Sequence, residues 1–225
     1  MDLVDREGLA ALTMRRLATD LGVEPMALYR YAASKQALLD GVIEMFFAEV
    51  NADLAAQTVA EHARPQAEAA VAWRQELQRI AHAYARVAQA HPSVFPLVAT
   101  RPVTLPLARR PAPMLQLNEH VLALLARSGF DEHTRLRIYR ALTAWVVGYL
   151  LVDKRQMIDN PEEPDPLLRL GLHRLPAAQY PHLRATAPLL ADHDAERELA
   201  SGLGILLDQA AEGPAGAARA AGRTP

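Results

Sequence analysis

No cysteine occurs anywhere in the 225 residues, which removes disulfides, thiolate metal sites and a cysteine nucleophile together and suits a reducing compartment. Long apolar runs are missing as well: none reaches the roughly 18 residues that a membrane span requires. The opening MDLVDREG has neither a basic region nor an apolar one, so no export signal is expected there. A soluble, cytoplasmic protein is the expectation. Catalytic signatures are lacking too. There is no G-x-S-x-G, no H-E-x-x-H and no phosphate-binding glycine loop, which argues against an enzyme and leaves no cofactor to expect. No metal site is expected either. His193 lies between Asp192 and Asp194, but adjacent residues on a helix point apart, so the trio reads as helix capping. Charge of one sign is absent in bulk. The net charge is −2, and residues 1–50 carry five Lys and Arg against eight Asp and Glu.

What the chain does have is a globular composition, 51% hydrophobic and 22% charged, with apolar residues at three-and-four spacing, abundant alanine and almost no alternation. That pattern predicts an all-α protein. Thr13 is placed to cap a short helix MRRLATDL that stops at Gly22, where a left-handed residue costs little. Glu24 and Pro25 open a second short helix closing at Tyr31 to Ala33, and Ser34 caps a long one running to about Asn51. Two short helices joined by a tight turn make a helix-turn-helix.

A junction is expected near residues 57–65. Trp73, Leu77, Ile80, Tyr84 and Val87 then mark an amphipathic helix. Pro92, Pro96 and Pro102 break the chain into a short helical piece and a turn, and Arg109 to Pro113 is a proline-rich connection. A helix from about Met114 ends at Gly129, and Asp131 begins another whose stretch Ile138 to Val152 is apolar nearly all round. Residues 153–175 read as a long loop, residues from about His193 to Glu212 as the last helix, and the alanine, glycine and proline tail beyond Gly213 as disordered. No internal repeat is evident.

The second helix of a helix-turn-helix lies in the major groove with its first residues over base edges. Pro25, Met26, Ala27 and Arg30 occupy that leading face. Arg30 can pair with guanine O6 and N7, and Met26 and Ala27 can touch thymine methyl groups. Tyr29, Lys35 and the N–H groups at the Ser34 cap suit phosphates, contacts that fix position without reading sequence. Phosphate contact depends on local charge, and between Thr13 and Leu39 the cations Arg15, Arg16, Arg30 and Lys35 outnumber Asp20 and Glu24. Leu17, Leu21, Leu28, Leu38 and Leu39 would form the small core beneath.

The stretch LTMRRLATDLGVEPMALYRYAASKQALLD resembles the DNA-binding region of the tetracycline-repressor (TetR) family. AHPSVFPLVATRP, the RSGFDEH turn and the ELASGLGILLDQ helix are similar, more loosely, to the C-terminal domain of the tetracycline repressors themselves. The resemblance implies that Thr13, Met14 and Arg15 contact the DNA backbone or a flanking base and that Pro25, Met26, Ala27, Arg30 and Tyr31 take recognition positions. It implies a helix-turn-helix domain over residues 1–50, with a first helix cut short relative to the family pattern because Met1 falls about halfway along it. Residues 51–212 would form a larger α-helical ligand-binding and dimerisation domain, followed by the tail at 213–225. The implied partners are an operator in double-stranded DNA, a small-molecule effector and a second copy of the chain, joined through a four-helix bundle. The two helices richest in apolar surface, Leu136 to Val152 and Glu196 to Ala211, suit that role, and Gly202 and Gly204 would let another helix approach.

In the tetracycline repressors a histidine and a glutamate help to hold a drug-bound magnesium ion. Leu97 and Val152 stand at those positions here, and neither can bind a hard cation, so magnesium-tetracycline is not the expected ligand. Candidate ligand-binding residues are His91, Phe95, Arg101, His120, Tyr139, Trp145 and Tyr149, with Tyr84, because they carry polar tips or aromatic faces on large apolar bodies. Trp73 and Tyr84 also lie on the amphipathic stripe, where core is the plainer role. The expected function is a homodimeric repressor released from a palindromic operator by its ligand. The alternative is a small-molecule binding protein that no longer binds DNA, suggested by the short first helix and the acidic head.

Overall fold

The computed structural model describes residues 1–61, 69–101, 106–153, 160, 162–192 and 194–211, and among these every regular element is a helix. The expected tail at 213–225, His193, Pro102 and parts of the 57–65 junction and the 153–175 loop lie outside the described residues.

The head begins with α1 (Asp2–Glu7), which buries Leu3 and Val4. It is followed by α2 (Met14–Leu21) and α3 (Pro25–Leu28). Thr13 caps α2 as expected, its hydroxyl accepting the Arg16 N–H at 3.1 Å. Gly22 ends α2 in the left-handed region at φ 66°, with its own N–H and that of Val23 returned to carbonyls of α2. Pro25 opens α3, which is only four residues long and continues as turns in which Tyr31 and Ala32 donate to the Leu28 carbonyl. The core beneath differs from expectation at Leu21, which is 56% exposed. It sits at the last position of α2, where the chain turns away, and Ala18 one turn earlier is the buried residue.

Helix α4 (Lys35–Glu61) starts on the Ser34 hydroxyl, which accepts the Ala37 N–H at 3.2 Å. It runs ten residues beyond the expected end at Asn51. No glycine or proline interrupts that stretch, Leu54 is buried within it, and the Asn51 side chain donates outward to the Pro113 carbonyl at 3.0 Å instead of competing with the helix.

Helix α5 (Ala69–Ala90) buries the whole stripe of Trp73, Leu77, Ile80, Tyr84 and Val87, each side chain stabilising the fold by roughly 1.5–3 kcal/mol. Next come α6 (Phe95–Thr100), α7 (Ala112–Arg127) and α8 (Glu132–Asp153). Gly129, at φ 80°, lets the Phe130 N–H turn back to the Leu125 carbonyl. Asp131 then caps α8 through the N–H and hydroxyl of Thr134 at 3.0 and 2.8 Å, hydrogen bonds that hold its carboxyl below the usual range.

The described part of the expected 153–175 loop contains structure of its own: α9 (Pro166–Arg169), capped by Asp165, and a 3₁₀ turn at Leu172–Arg174. Proline at the first helical position costs no hydrogen bond, so Pro166 starts a helical turn inside the stretch read as a loop. Two further short helices, α10 (Pro181–Ala185) and α11 (Ala187–Ala191), lead to α12 (Ala195–Ala211). Asp194 caps α12 by accepting the Arg197 N–H at 3.0 Å. Helix α8 packs on α12, α5 and α7, while α4 packs on α5, α6 and α7. The helical piece α6 is thus held between α4 and α8. No described helix is long and apolar enough to cross a membrane.

Candidate functional site

Two sites emerge, a protruding face on the head and a cavity in the larger helical body. On the face, Met26 is 75%, Tyr29 47% and Tyr31 89% exposed. Thr13, Arg15, Arg30 and Lys35 are also exposed, and Met14, Pro25 and Ala27 half-buried. Leu28 and Ala32, the alternate positions of the same short segment, are buried. Of the residues singled out for DNA contact, seven are exposed, three are half-buried and none is buried.

Arg16 is the head cation with a different use. Its guanidinium grips the Glu7 carboxylate, Nε lying 2.9 Å from Oε2 and Nη2 on Oε1, and this pairing holds the Glu7 carboxyl below its ordinary range. Arg6 reaches Asp20 at 2.7 Å. These pairs tie α1 to α2 at the surface and leave Arg15, Arg30 and Lys35 directed outward.

The cavity measures about 190 Å³ and is walled by α4 (Phe47), α5 (Ile80, Ala81, Tyr84), α6 (Val98, Ala99), α7 (Met114, Leu117, Asn118, Val121) and α8 (Tyr139, Leu142, Thr143, Val146, Val147), with Arg110 from the connection before α7. The wall is chiefly apolar. Among the described residues the polar members of the wall are Tyr84, Tyr139, Asn118, Arg110 and Thr143, whose hydroxyl already donates to the Tyr139 carbonyl at 2.9 Å. Burial raises the Tyr84 phenol well above its ordinary pKa, so it stays a neutral donor. The ring also sits at the centre of an edge-to-face cluster with Phe46, Phe47 and Phe95, at centroid distances of 5.3, 5.9 and 6.2 Å.

Of the eight candidate ligand residues, Tyr84 and Tyr139 line this cavity and the other six do not. Phe95 is fully buried behind Tyr84. His91 is drawn to the head, with Nδ1 2.6 Å from Asp5 and Nε2 3.0 Å from Glu49. Arg101 is drawn to the start of α4, where Nε donates to Asp40 at 2.8 Å and Nη1 and Nη2 to the Gln36 side chain and carbonyl at 2.5 and 3.1 Å. His120 crosses from α7 to α5 and meets Glu76 at 2.8 Å. Trp145 donates to the Leu199 carbonyl at 3.1 Å and pins α8 to α12. Tyr149 faces Glu198 at 3.5 Å; burial first, then the nearby negative charges, raises its pKa. For the five with polar tips the common reason is hydrogen bonding: those tips find partners between helices before they find an apolar void. Leu97 and Val152 do not line the cavity either; Leu97 is buried and Val152 is 67% exposed.

Asn118 and Arg110 were not anticipated. A signal for Asn118 exists, since it falls at helical spacing with the buried Met114 and Val121. Arg110 offers none, lying in irregular chain.

Comparison with known proteins covers both parts of the chain. Residues 1–42 match the model of bacterial regulatory proteins of the tetR family, and residues 65–210 match that of the tetracyclin repressor-like C-terminal domain. An HTH-type transcriptional regulator of Saccharopolyspora erythraea is 29% identical over 189 residues, 84% of this chain and 71% of that protein. The class A tetracycline repressor of transposon 1721 from Escherichia coli is 25% identical over 92% of this chain and 85% of its own. Among solved structures, a "possible TetR family transcriptional regulator" from Streptomyces coelicolor A3(2) superimposes with a TM-score of 0.69 at 29% identity, covering 92% of this chain and 93% of the other.

Proposed function

The chain belongs to the TetR family of transcriptional regulators, and from that premise we propose that it is a non-enzymatic, cytoplasmic repressor whose dimer holds a palindromic operator and releases it when a small molecule fills the cavity. Residues 1–50 are the DNA-reading domain and residues 51–212 the ligand-binding and dimerisation domain. Arg30 reads a base edge; Met26 and Ala27 supply apolar contact; Thr13, Arg15, Tyr29 and Lys35 hold phosphates; Met14, Pro25 and Tyr31 complete the surface. The observation that carries this reading is the outward direction of Met26, Tyr29, Arg30 and Tyr31 around the buried Leu28.

The cavity supports the second half. Its walls include α4 and α6, and α4 begins directly after the reading segment. A ligand that favours one arrangement of these helices alters the spacing of two reading heads, which must match successive major grooves roughly 34–36 Å apart. With Leu97 and Val152 at the positions discussed above, magnesium-tetracycline is not the effector.

The test is fluorescence anisotropy with DNA from upstream of the protein's own gene, for wild type and Arg30→Ala. Salt-sensitive, sequence-selective binding that loses its selectivity in the variant is expected. Binding absent in both, with ligand uptake intact, would leave a small-molecule binding protein instead.

A further inference from the structure

We propose, on the reading that residues 1–50 are a DNA-reading head, that His91, Asp5 and Glu49 form a proton-operated clamp between that head and the helical body. The clamp holds at acid pH and loosens as pH rises, so that operator affinity depends on pH. The carrying observation is that both ring nitrogens of His91 face carboxylates, Nδ1 at 2.6 Å from Asp5 and Nε2 at 3.0 Å from Glu49. An ionised carboxylate only accepts, and a neutral imidazole has a single N–H to give. The two contacts therefore need two protons among the three groups. Removing one sets lone pair against lone pair, and the uncharged ring no longer offsets the two negative charges that it separates. Asp5 has nothing to fall back on, since its Oδ1 is buried without a hydrogen-bond partner.

The ring hangs on fixed backbone. His91 follows α5 directly, its N–H returning to the Val87 carbonyl at 3.0 Å and its carbonyl accepting from Val94 and Phe95 at 3.1 and 3.0 Å. The carbonyl end of that 22-residue helix favours a cation there. Among the described residues, the neighbouring charged groups of the surrounding elements are engaged elsewhere or exposed. On the α1 side Arg6 meets Asp20 and Glu7 meets Arg16, Asp53 of α4 meets Arg86 of α5, and His82 of α5 meets Glu196. Asp2 and Glu44 stand exposed, and α6 carries no charged residue. Histidine ordinarily changes charge between about pH 5 and 8, so the switch falls in a range that cells reach. Because α5 also walls the cavity through Ile80, Ala81 and Tyr84, the clamp ties the cavity wall to the head.

The test follows the full-length protein from pH 5 to 8 at fixed ionic strength. NMR shifts of the His91 ring report its protons, and amide exchange of α1, corrected for its intrinsic pH dependence, reports the clamp. In the wild type, α1 protection should fall about tenfold as the ring loses a proton, the scale of one hydrogen bond to a charged group. Glu49→Gln should flatten that step, because its amide can donate to an unprotonated nitrogen and a neutral ring then keeps both contacts. Glu49 is 45% exposed, so this variant is expected to fold. His91→Gln, which cannot titrate, should flatten the step as well, and circular dichroism identifies either variant if it fails to fold. Flat α1 protection in the wild type, or a step that persists in the folded variants, overturns the clamp. Operator anisotropy over the same range should show wild-type binding weakening about fivefold more than that of Glu49→Gln. Equal weakening in the two proteins overturns the control of operator affinity. No operator binding at any pH, with the α1 step intact, removes the DNA-reading assignment and keeps the clamp.

Discussion

His91 Nδ1 lies 2.6 Å from the Asp5 carboxylate, across 86 residues of chain. The same imidazole touches Glu49 on α4 through Nε2 at 3.0 Å, so the end of α5, the middle of α4 and the first helix meet at one side chain that is 15% exposed. α1 has only six residues, too few to hold its shape alone. Two things therefore keep it in place: Leu3 and Val4 in the shared core, and this contact with the pairs on Arg6 and Arg16.

His91→Ala leaves Asp5, whose Oδ1 already lacks a partner, without its imidazole. A loss of about 1–3 kcal/mol of stability is expected, the usual cost of stranding a partly buried polar group. Amide exchange should accelerate in α1 (Asp2–Glu7) and remain slow around Leu77 and Ile80. Unchanged protection of α1 would show that its apolar contacts suffice.

Arg101 makes the second link to the head, holding Asp40 and Gln36 at the start of α4 from the end of α6. Because α6 also walls the cavity through Val98 and Ala99, this guanidinium joins the cavity wall to the helix that follows the reading segment. Arg101→Lys keeps a charge but not the planar fork. The ratio of operator affinities without and with ligand should fall toward one, since coupling is the free energy linking the two sites. Anisotropy titrations at saturating and zero ligand read it directly, and an unaltered ratio in the variant would assign transmission elsewhere.

These two residues show why the head was legible in the sequence and the cavity largely was not. The caps at Thr13 and Ser34, the left-handed Gly22 and the Pro25 start act within a few residues of themselves, so local pattern fixes them. The stripe from Trp73 to Val87 was legible for the same reason. His91, Arg101 and His120 resemble ligand contacts in composition, but their partners lie 86, 61 and 44 positions away, a distance that no periodicity reaches. Asn118 passed unnoticed because a polar residue on an apolar helical face carries no mark of whether water, protein or ligand will meet it.

Glu76 supports a prediction about acid. Burial would raise its carboxyl, but hydrogen bonds from His120 and Arg79 outweigh burial and hold it down at about 2; Arg79 engages both oxygens at 2.7 Å. A depressed carboxylate contributes stability above its unfolded pKa of 4.5 and loses it as pH falls toward 2. Wild type should therefore lose about 2 kcal/mol between those limits from this group, once partial solvent screening is allowed for. Glu76→Gln should be less stable at neutral pH and should show a shallower decline across that window. Denaturant midpoints measured at pH 7, 4.5 and 3 check the sign, and parallel declines in both proteins would count against the assignment.

Gly202 bears on the pairing of α8 with α12. A Cβ at this position would lie 2.0 Å from Cζ2 of Trp145 and 2.5 Å from its Cη2, whereas one at Gly204 would meet nothing within 4 Å. Of the two glycines expected to admit a neighbouring helix, Gly202 is therefore the one filled from within the chain, by an indole that also donates to the Leu199 carbonyl. Gly202→Ala must displace the ring and break that hydrogen bond, at about 1–3 kcal/mol for overpacking, while Gly204→Ala should stabilise slightly through helix propensity. A thermal melt of each variant separates them. Truncating the obstacle in the double variant Gly202→Ala, Trp145→Leu should cost less than the two single changes together, because the clash and the lost indole contact are one event. Strict additivity would mean that the ring and the glycine do not share this space.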